Sequence, residues 1–187
     1  MNQEIATPHL NLAREIADRY AGLPQTIAVA LGGSVTAGEA TAGSDIDLYI
    51  YSTEPIPDEA RVTIATTGAS RVEALNNFWE SGDEWIDAYT GISVDVMFRT
   101  PEWIEDQIDR VLKRYEASVG YSTCFWYNVL TSQTLHDPEG WYQSLVDRSQ
   151  RPYPDPLIQS VIEKNHPILR STISSYRHQI ERAIAKQ

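Results

Sequence analysis

The sequence predicts an α+β fold with a strand-rich first part and a helical second part. Up to residue 99, apolar residues stand in short runs or alternate with polar residues, as in buried and half-buried strands. From Thr100-Pro101 onward they recur at helical spacing. We therefore expect two domains, residues 1–99 and 100–187. With 187 residues and 42% hydrophobic content, the chain can bury a sizeable core.

The first domain begins with a predicted helix and two strands. Thr7-Pro8 resembles an N-cap followed by proline at the first helical position, and the helical pattern stops at Gly22. The apolar run Thr26–Leu31 is rich in β-branched residues and predicts a buried strand. Residues 45–51 alternate between apolar and polar side chains, which predicts a second strand.

The remainder of the first domain gives mixed signals. Pro55, Pro57 and Asp58 indicate a surface loop, and residues 61–66 are a candidate third strand. Residues 69–80 are ambiguous, since the spacing of Val72 and Leu75 suits a short helix and Gly82-Asp83 suggests a turn. Residues 84–89 and 92–98 predict a hairpin around Thr90-Gly91.

The second domain is expected to be entirely helical, with four or five helices. Thr100-Pro101, Asp137-Pro138 and Asp155-Pro156 each resemble a cap followed by proline. Asn165-His166-Pro167 is expected to open the last helix. Its apolar stripe predicts a homodimer through the C-terminal helices; it comprises Ile168, Ile173, Tyr176 and Ile180.

A small-residue turn and two carboxylates form the most informative segment. Gly32-Gly33-Ser34 follows the first strand, and taken alone such residues commonly mark only a turn. In the second strand, Asp45 and Asp47 share one face because side chains alternate. They lie about 6.6 Å apart along the strand, so both can reach a shared pair of divalent cations. Alone, this pair fits a solvated strand face equally well.

A third carboxylate, Asp95, lies in the later apolar strand, on the face opposite Val94 and Val96. If the two strands pair, Asp95 joins Asp45 and Asp47 in one site. Asp83, Glu84 and Asp87 are interpreted as solvated or capping residues, with Glu84 kept as an alternative general base.

One pattern in the sequence resembles the signature of the DNA polymerase beta-like nucleotidyltransferase superfamily, in an uncharacterised bacterial branch. The pattern is Gly33-Ser34, then ten residues, then Asp45-x-Asp47, and later a lone Asp95 in another strand. The resemblance implies a mixed sheet flanked by helices, and two Mg²⁺ ions, replaceable by Mn²⁺, held by the three Asp residues. It also implies a nucleotide site. That site comprises Gly32, Gly33, Ser34 and Ser44. The sequence departs from the family in the loop 35–43, which has no Arg or Lys where many relatives place a basic residue, and we interpret Arg99 as the substitute.

Composition limits the partners. The formal net charge of −11 and the pI near 4.7 oppose a nucleic-acid substrate, because phosphate backbones are bound mainly by Lys and Arg. A lone cysteine, Cys124, excludes an intramolecular disulfide. No stretch approaches the roughly 20 apolar residues of a membrane span, and no signal-like run opens the sequence, so we expect no membrane partner and a cytoplasmic location.

Two classes of function fit these observations. The first is a Mg²⁺-dependent nucleotidyltransferase that moves a nucleoside monophosphate, with AMP from ATP as the expected case, to a hydroxyl of a small molecule or protein. The alternative is an antitoxin-like or catalytically inactive nucleotide-binding module that acts through protein–protein contacts. The complete carboxylate triad favours the enzyme.

Overall fold

In a computed structural model, which describes residues 3–38, 40–41, 43–78 and 80–168, the chain forms one sheet with helices on both faces. The strands are β1 (Thr26–Leu31), β2 (Ile46–Ser52), β3 (Ala69–Asn76), β4 (Gly82–Asp87), β5 (Ser93–Arg99) and β6 (Gln133–His136). The helices are α1 (Gln3–Ala21), α2 (Gly33–Ala37), α3 (Asp58–Thr66), α4 (Pro101–Leu112), α5 (Cys124–Thr131), α6 (Trp141–Ser149) and α7 (155–168).

The sheet is mixed and has the strand order β3-β4-β5-β2-β1-β6. Its β2–β5 pair is parallel, and its other neighbouring pairs are antiparallel. The parallel pair brings together two strands that are separated in sequence by a helix and a hairpin. The predicted α+β class, with a mixed sheet flanked by helices, is confirmed.

Alternation along the strands builds one hydrophobic core on each face of the sheet. Leu48 and Val96 point into the core beneath α1 and α3. Tyr49 and Tyr51 point into the opposite core, against α4, α5 and α6. The second face is therefore the one that the helical part of the chain covers.

Residues 61–66 form most of helix α3, so the predicted strand there is wrong. Pro57 precedes the helix, and its carbonyl accepts hydrogen bonds from the N–H groups of Ala60 and Arg61. The buried residues Arg61, Ile64 and Ala65 follow helical spacing. The sequence also has apolar Val62 and Ile64 two positions apart, and this alternation is what predicted a strand.

The region after α3 is a strand pair, and the suggested short helix is also wrong. Within β3, residues 72, 74 and 76 are partly buried while their neighbours are exposed, as expected for an edge strand. Gly82 and Asp83 begin β4 and do not form a turn. The predicted hairpin of 84–89 and 92–98 is confirmed by the antiparallel pairing of β4 with β5.

The second part of the chain is not entirely helical, because β6 returns to the sheet. Its residues pair antiparallel with β1, with Val29 opposite His136 and Leu31 opposite Gln133. A four-residue strand has too short a pattern to be recognised, and its stability comes from the distant partner strand. The predicted boundary between residues 99 and 100 stays a prediction.

Several predicted helix ends differ from the observed ones. Pro8 lies inside α1, where the proline ring keeps a helical φ and removes only one backbone hydrogen bond. Helix α6 begins at Trp141, and Asp137 caps it from outside by accepting hydrogen bonds from two backbone N–H groups. Helix α7 begins at the predicted 155 and continues through Pro167.

The predicted dimer stripe lies mostly outside the described residues, since Ile173, Tyr176 and Ile180 follow residue 168. The homodimer therefore stays a prediction. Among the described helices, none is long and apolar enough to cross a membrane.

Candidate functional site

Three aspartates meet at one end of the parallel β2–β5 pair. Asp47 and Asp95 are direct register partners on the two strands, and Asp45 immediately precedes β2. One carboxylate oxygen from each lies within 4.8 Å of the other two. All three residues are half-buried. The predicted convergence of these carboxylates therefore occurs.

Burial and mutual repulsion disfavour the ionised form of two of these groups. Burial, followed by the nearby Asp45 charge, raises the pKa of Asp47 to about 6. Burial raises the pKa of Asp95 to about 6 as well, with smaller contributions from Glu84, Asp45 and Asp47. Close carboxylates that repel each other are stabilised by a cation between them.

The turn after β1 packs its backbone directly against Asp47. Gly32 donates its N–H to the Asp47 carbonyl at 2.9 Å, which continues the ladder past β1. Gly33 has φ +69°, and a Cβ there would lie 1.8 Å from Asp47 Oδ2. A Cβ at Gly32 would lie 2.6 Å from the Tyr49 ring. Both positions thus require glycine for close approach.

Ser34 and Ser44 belong to one small hydrogen-bond network beside the triad. The Ser34 hydroxyl donates to Ser44 Oγ at 2.9 Å, and the Thr41 N–H donates to the same oxygen at 2.9 Å. The buried His9 on α1 places Nε2 3.0 Å from the Ser44 carbonyl oxygen. This contact fixes the position of Ser44, the residue that precedes Asp45. Nothing in the sequence pattern around His9 predicts the contact.

Arg99 is buried and already paired. Its guanidinium donates to Glu80 at 2.8 and 3.1 Å and lies 4.2 Å from the centre of the Tyr49 ring. Two of its three nitrogens are therefore committed to a carboxylate. Its predicted contact with the triphosphate stays a prediction.

A cavity of about 580 Å³ lies between the sheet and the helical part, and Asp95 forms part of its wall. This volume falls in the range of small-molecule sites. Glu84, the register partner of Asp95 on β4, lines the cavity too. The predicted hairpin indicates this position of Glu84, because residues 84–89 and 92–98 pair symmetrically about their turn and so place Glu84 opposite Asp95. Arg110 on α4 and Phe125 on α5 line the opposite wall, and no sequence pattern indicates either of them.

Two of the acidic residues beside Asp95 differ in role. Asp83 is fully buried in an ion pair with Arg61 at 2.8 Å, so its interpretation as a solvated or capping residue is wrong. Asp87 does cap the hairpin turn, accepting hydrogen bonds from the N–H groups of Tyr89 and Thr90.

Comparison with known families matches residues 11–118 to the nucleotidyltransferase domain. The chain belongs to this family. The match includes the glycine turn, all three aspartates and Arg99. Among the curated proteins, none matches the chain.

Solved structures similar to this nucleotidyltransferase chain include two toxin–antitoxin structures. A mutant of the toxin–antitoxin MntA–HpeT is 10% identical, with 94% of this chain and 97% of that chain covered and a TM-score of 0.39. A toxin–antitoxin with AMP-PNP is 12% identical, with 99% of each chain covered and a TM-score of 0.38. For mtPAP in complex with UTP, the identity is 15%, the match covers 79% of this chain and 33% of that chain, and the TM-score is 0.44.

Nucleotidyltransferase domains generally use divalent metals, and the triad fits such an ion. Its donors are carboxylate oxygens, which hard cations such as Mg²⁺ prefer. The three oxygens are close enough to share one ion or a neighbouring pair. Burial first, and the neighbouring carboxylates second, raise the pKa of Asp47 and Asp95, and a bound cation would offset both effects.

Proposed function

We propose that this nucleotidyltransferase moves a nucleoside monophosphate, AMP from ATP, to a hydroxyl of a small molecule or protein. The observation that carries the proposal is the convergence of Asp45, Asp47 and Asp95 within 4.8 Å beside a glycine turn. Two Mg²⁺ ions would supply charge neutralisation on the phosphates and orientation of the acceptor oxygen.

The three carboxylates divide the work by position. Asp45 and Asp47 would hold both ions, and Asp95, on the neighbouring strand, would complete the ligand set next to the acceptor. The acceptor oxygen forms a bond to the α-phosphorus, the bond to the bridging oxygen breaks, and pyrophosphate leaves. Asp95 would accept the proton that the acceptor hydroxyl loses.

The glycine turn would receive the triphosphate. The absence of side chains at Gly32 and Gly33 lets phosphate oxygens approach the backbone, and Ser34 offers a hydroxyl and an N–H. The Ser34 hydroxyl donates to Ser44 Oγ at 2.9 Å, so it would turn from that acceptor to donate to a phosphate oxygen. The net charge of −11 supports a small-molecule or protein acceptor over a nucleic acid.

Two measurements test the proposal. The first is calorimetry of the binding of a non-hydrolysable ATP analogue, with and without Mg²⁺. The second is the transfer of label from α-labelled ATP to a panel of acceptors. We expect Mg²⁺-dependent binding and transfer, both lost in the Asp45→Asn, Asp47→Asn double variant. Asp18→Asn, on the exposed side of α1, is the control and should match the parent. Transfer by the double variant at the parental rate would refute the proposal. Binding without transfer to any acceptor would favour a nucleotide-binding module.

A further inference from the structure

We propose that the cavity beside Asp95 is the acceptor pocket, and that the acceptor carries an anionic group, a carboxylate or a phosphate, bound by Arg110. This inference rests on the proposed function, because it names the acceptor class for the same site. It begins from a cation to which the described residues supply no partner.

Arg110 is the basic residue of α4, and among the described residues it differs from the two basic residues that follow the helix. Lys113 forms an ion pair with Asp109 at 2.8 Å, and Arg114 pairs with Asp106 at 2.9 Å. Within the described residues, the Arg110 guanidinium has no ion-pair or hydrogen-bond partner, and its buried Nε lacks an acceptor. A buried donor without an acceptor costs about 1 to 3 kcal/mol, so a ligand that supplies one is favoured.

The other charges on the cavity wall are mostly neutralised within the protein. Arg99 is paired with Glu80 through two of its nitrogens, and its buried Nη1 has no acceptor within the described residues. Asp83 is paired with Arg61. The carboxylates of Glu84 and Asp95 form no ion pair within the described part of the chain, and they lie together at the end where the metals would bind. Of the two basic side chains that line the cavity, Arg99 and Arg110, only Arg110 has no ion pair within the described part of the chain.

The nucleotide does not account for this charge. Its phosphates would be held at the Gly32-Gly33-Ser34 turn, and none of these three residues lines the cavity. A nucleoside has no further anionic group. The acceptor, which must reach the Asp95 end with its hydroxyl, is therefore the partner that brings an anion to Arg110.

The other walls of the cavity suit an apolar part of the acceptor. Phe125 and Tyr121 line the cavity together with Met97. The expected acceptor is thus a hydroxyl compound that carries an apolar part and a carboxylate or phosphate. The volume of about 580 Å³ accommodates a molecule of that size.

A test that needs no turnover uses Cys124, the single cysteine of the chain, which lines the same cavity. The rates of its modification by anionic sulfonatoethyl and cationic trimethylammonioethyl methanethiosulfonate are compared. Because Arg110 attracts the anion and repels the cation, Arg110→Gln should lower the anionic-to-cationic rate ratio about tenfold. Arg110→Lys and Arg114→Gln should keep the parental ratio. Cys124→Ser identifies the reacting thiol.

Label transfer to a matched panel then tests the acceptor class. The panel contains hydroxycarboxylates and hydroxyl-bearing phosphate monoesters, each beside a neutral and an amine-bearing analogue. We expect transfer to the anionic members, with Arg110→Gln raising their KM about 10- to 100-fold and leaving the nucleotide KM unchanged. The carboxylate and phosphate arms distinguish the two sources of the anion.

Three results would overturn the inference: an unchanged thiol rate ratio in Arg110→Gln, transfer restricted to neutral or amine-bearing acceptors, or a weakened nucleotide affinity with no change at the acceptor. The last result would assign Arg110 to the triphosphate. A protein that binds neither Mn²⁺ nor nucleotide would instead refute the proposed function. In that case the thiol rates would still decide whether the cavity attracts anions.

Discussion

Replacing Gly33 by alanine should disable the metal site with only a limited loss of stability. The new Cβ would lie 1.8 Å from Asp47 Oδ2 and 2.9 Å from its Cγ, distances that no folded protein tolerates. The carboxylate is the free end of a side chain, so it can rotate away from the new methyl group. That rotation removes Asp47 from Asp45 and Asp95.

The size of each effect follows from this geometry. Alanine at φ +69° costs about 1 to 2 kcal/mol of backbone strain, and a displaced Asp47 rotamer adds about 1 kcal/mol. Losing one of three ligands should weaken Mn²⁺ binding about 10- to 100-fold. Gly38→Ala is the matched control, since Gly38 has φ +78° and a Cβ added there would meet no atom within 4 Å.

Denaturant unfolding and Mn²⁺ calorimetry of the two variants separate the effect of backbone strain from the effect of the steric clash with Asp47. Both should lose about 1 to 2 kcal/mol of unfolding free energy from strain, whereas only Gly33→Ala should lose Mn²⁺ affinity. Parental Mn²⁺ affinity in Gly33→Ala would refute the packing of the turn against Asp47. An equal affinity loss in Gly38→Ala would show that the backbone of the turn, and not the clash, is responsible.

The other predictions concern a buried ion pair, pH and metal. Arg61→Leu leaves the fully buried Asp83 without its partner and should cost about 3 to 5 kcal/mol in denaturant unfolding, whereas Arg19→Leu at an exposed pair should cost under about 1 kcal/mol. Mn²⁺ affinity, measured by calorimetry, should fall as the pH drops below about 6, since protons compete for Asp47 and Asp95. Because the folded-state pKa values of these two groups exceed the unfolded ones, their protonated forms favour the folded state. The metal-free protein should therefore lose stability as the pH rises from about 4 to about 6, and a flat profile would contradict the shifts. Millimolar Mg²⁺ should raise the Tm at pH 7, and no shift would count against the site.

The elements that determine the site could be predicted because their signals are local. The strand Thr26–Leu31 and the 84–98 hairpin have patterns that neighbouring residues alone set. Asp45, Asp47 and Asp95 could be placed on one face once their strands were assumed to pair. The register of Asp47 with Asp95 shows that this assumption holds.

The elements that could not be predicted depend on distant partners. Strand β6 exists because it pairs with β1, far earlier in the chain, and its four residues carry no pattern of their own. Residues 61–66 have both an alternating and a helical pattern. The buried pairing of Arg61 with Asp83 accompanies the helical arrangement, and this contact joins α3 to β4.

The cavity and its cation belong to the same class of unpredictable features. The presence of Arg110 and Phe125 in the wall of one cavity depends on how α4 and α5 pack over the sheet, which no spacing within α4 reveals. Likewise, the pairing of Arg99, the last residue of β5, with Glu80 could not be foreseen, because it depends on how the segment before β4 packs against the end of β5.

The central claim is tested most directly by counting the Mn²⁺ ions that each chain binds. The count is made by calorimetry in the presence of a non-hydrolysable ATP analogue. The claim is that Asp45, Asp47 and Asp95 act as one metal-binding unit. It predicts two ions in the parent protein and a large loss of affinity in each single Asp→Asn variant, with little further loss in combinations. Two ions bound with parental affinity by the Asp45→Asn, Asp47→Asn double variant would contradict it.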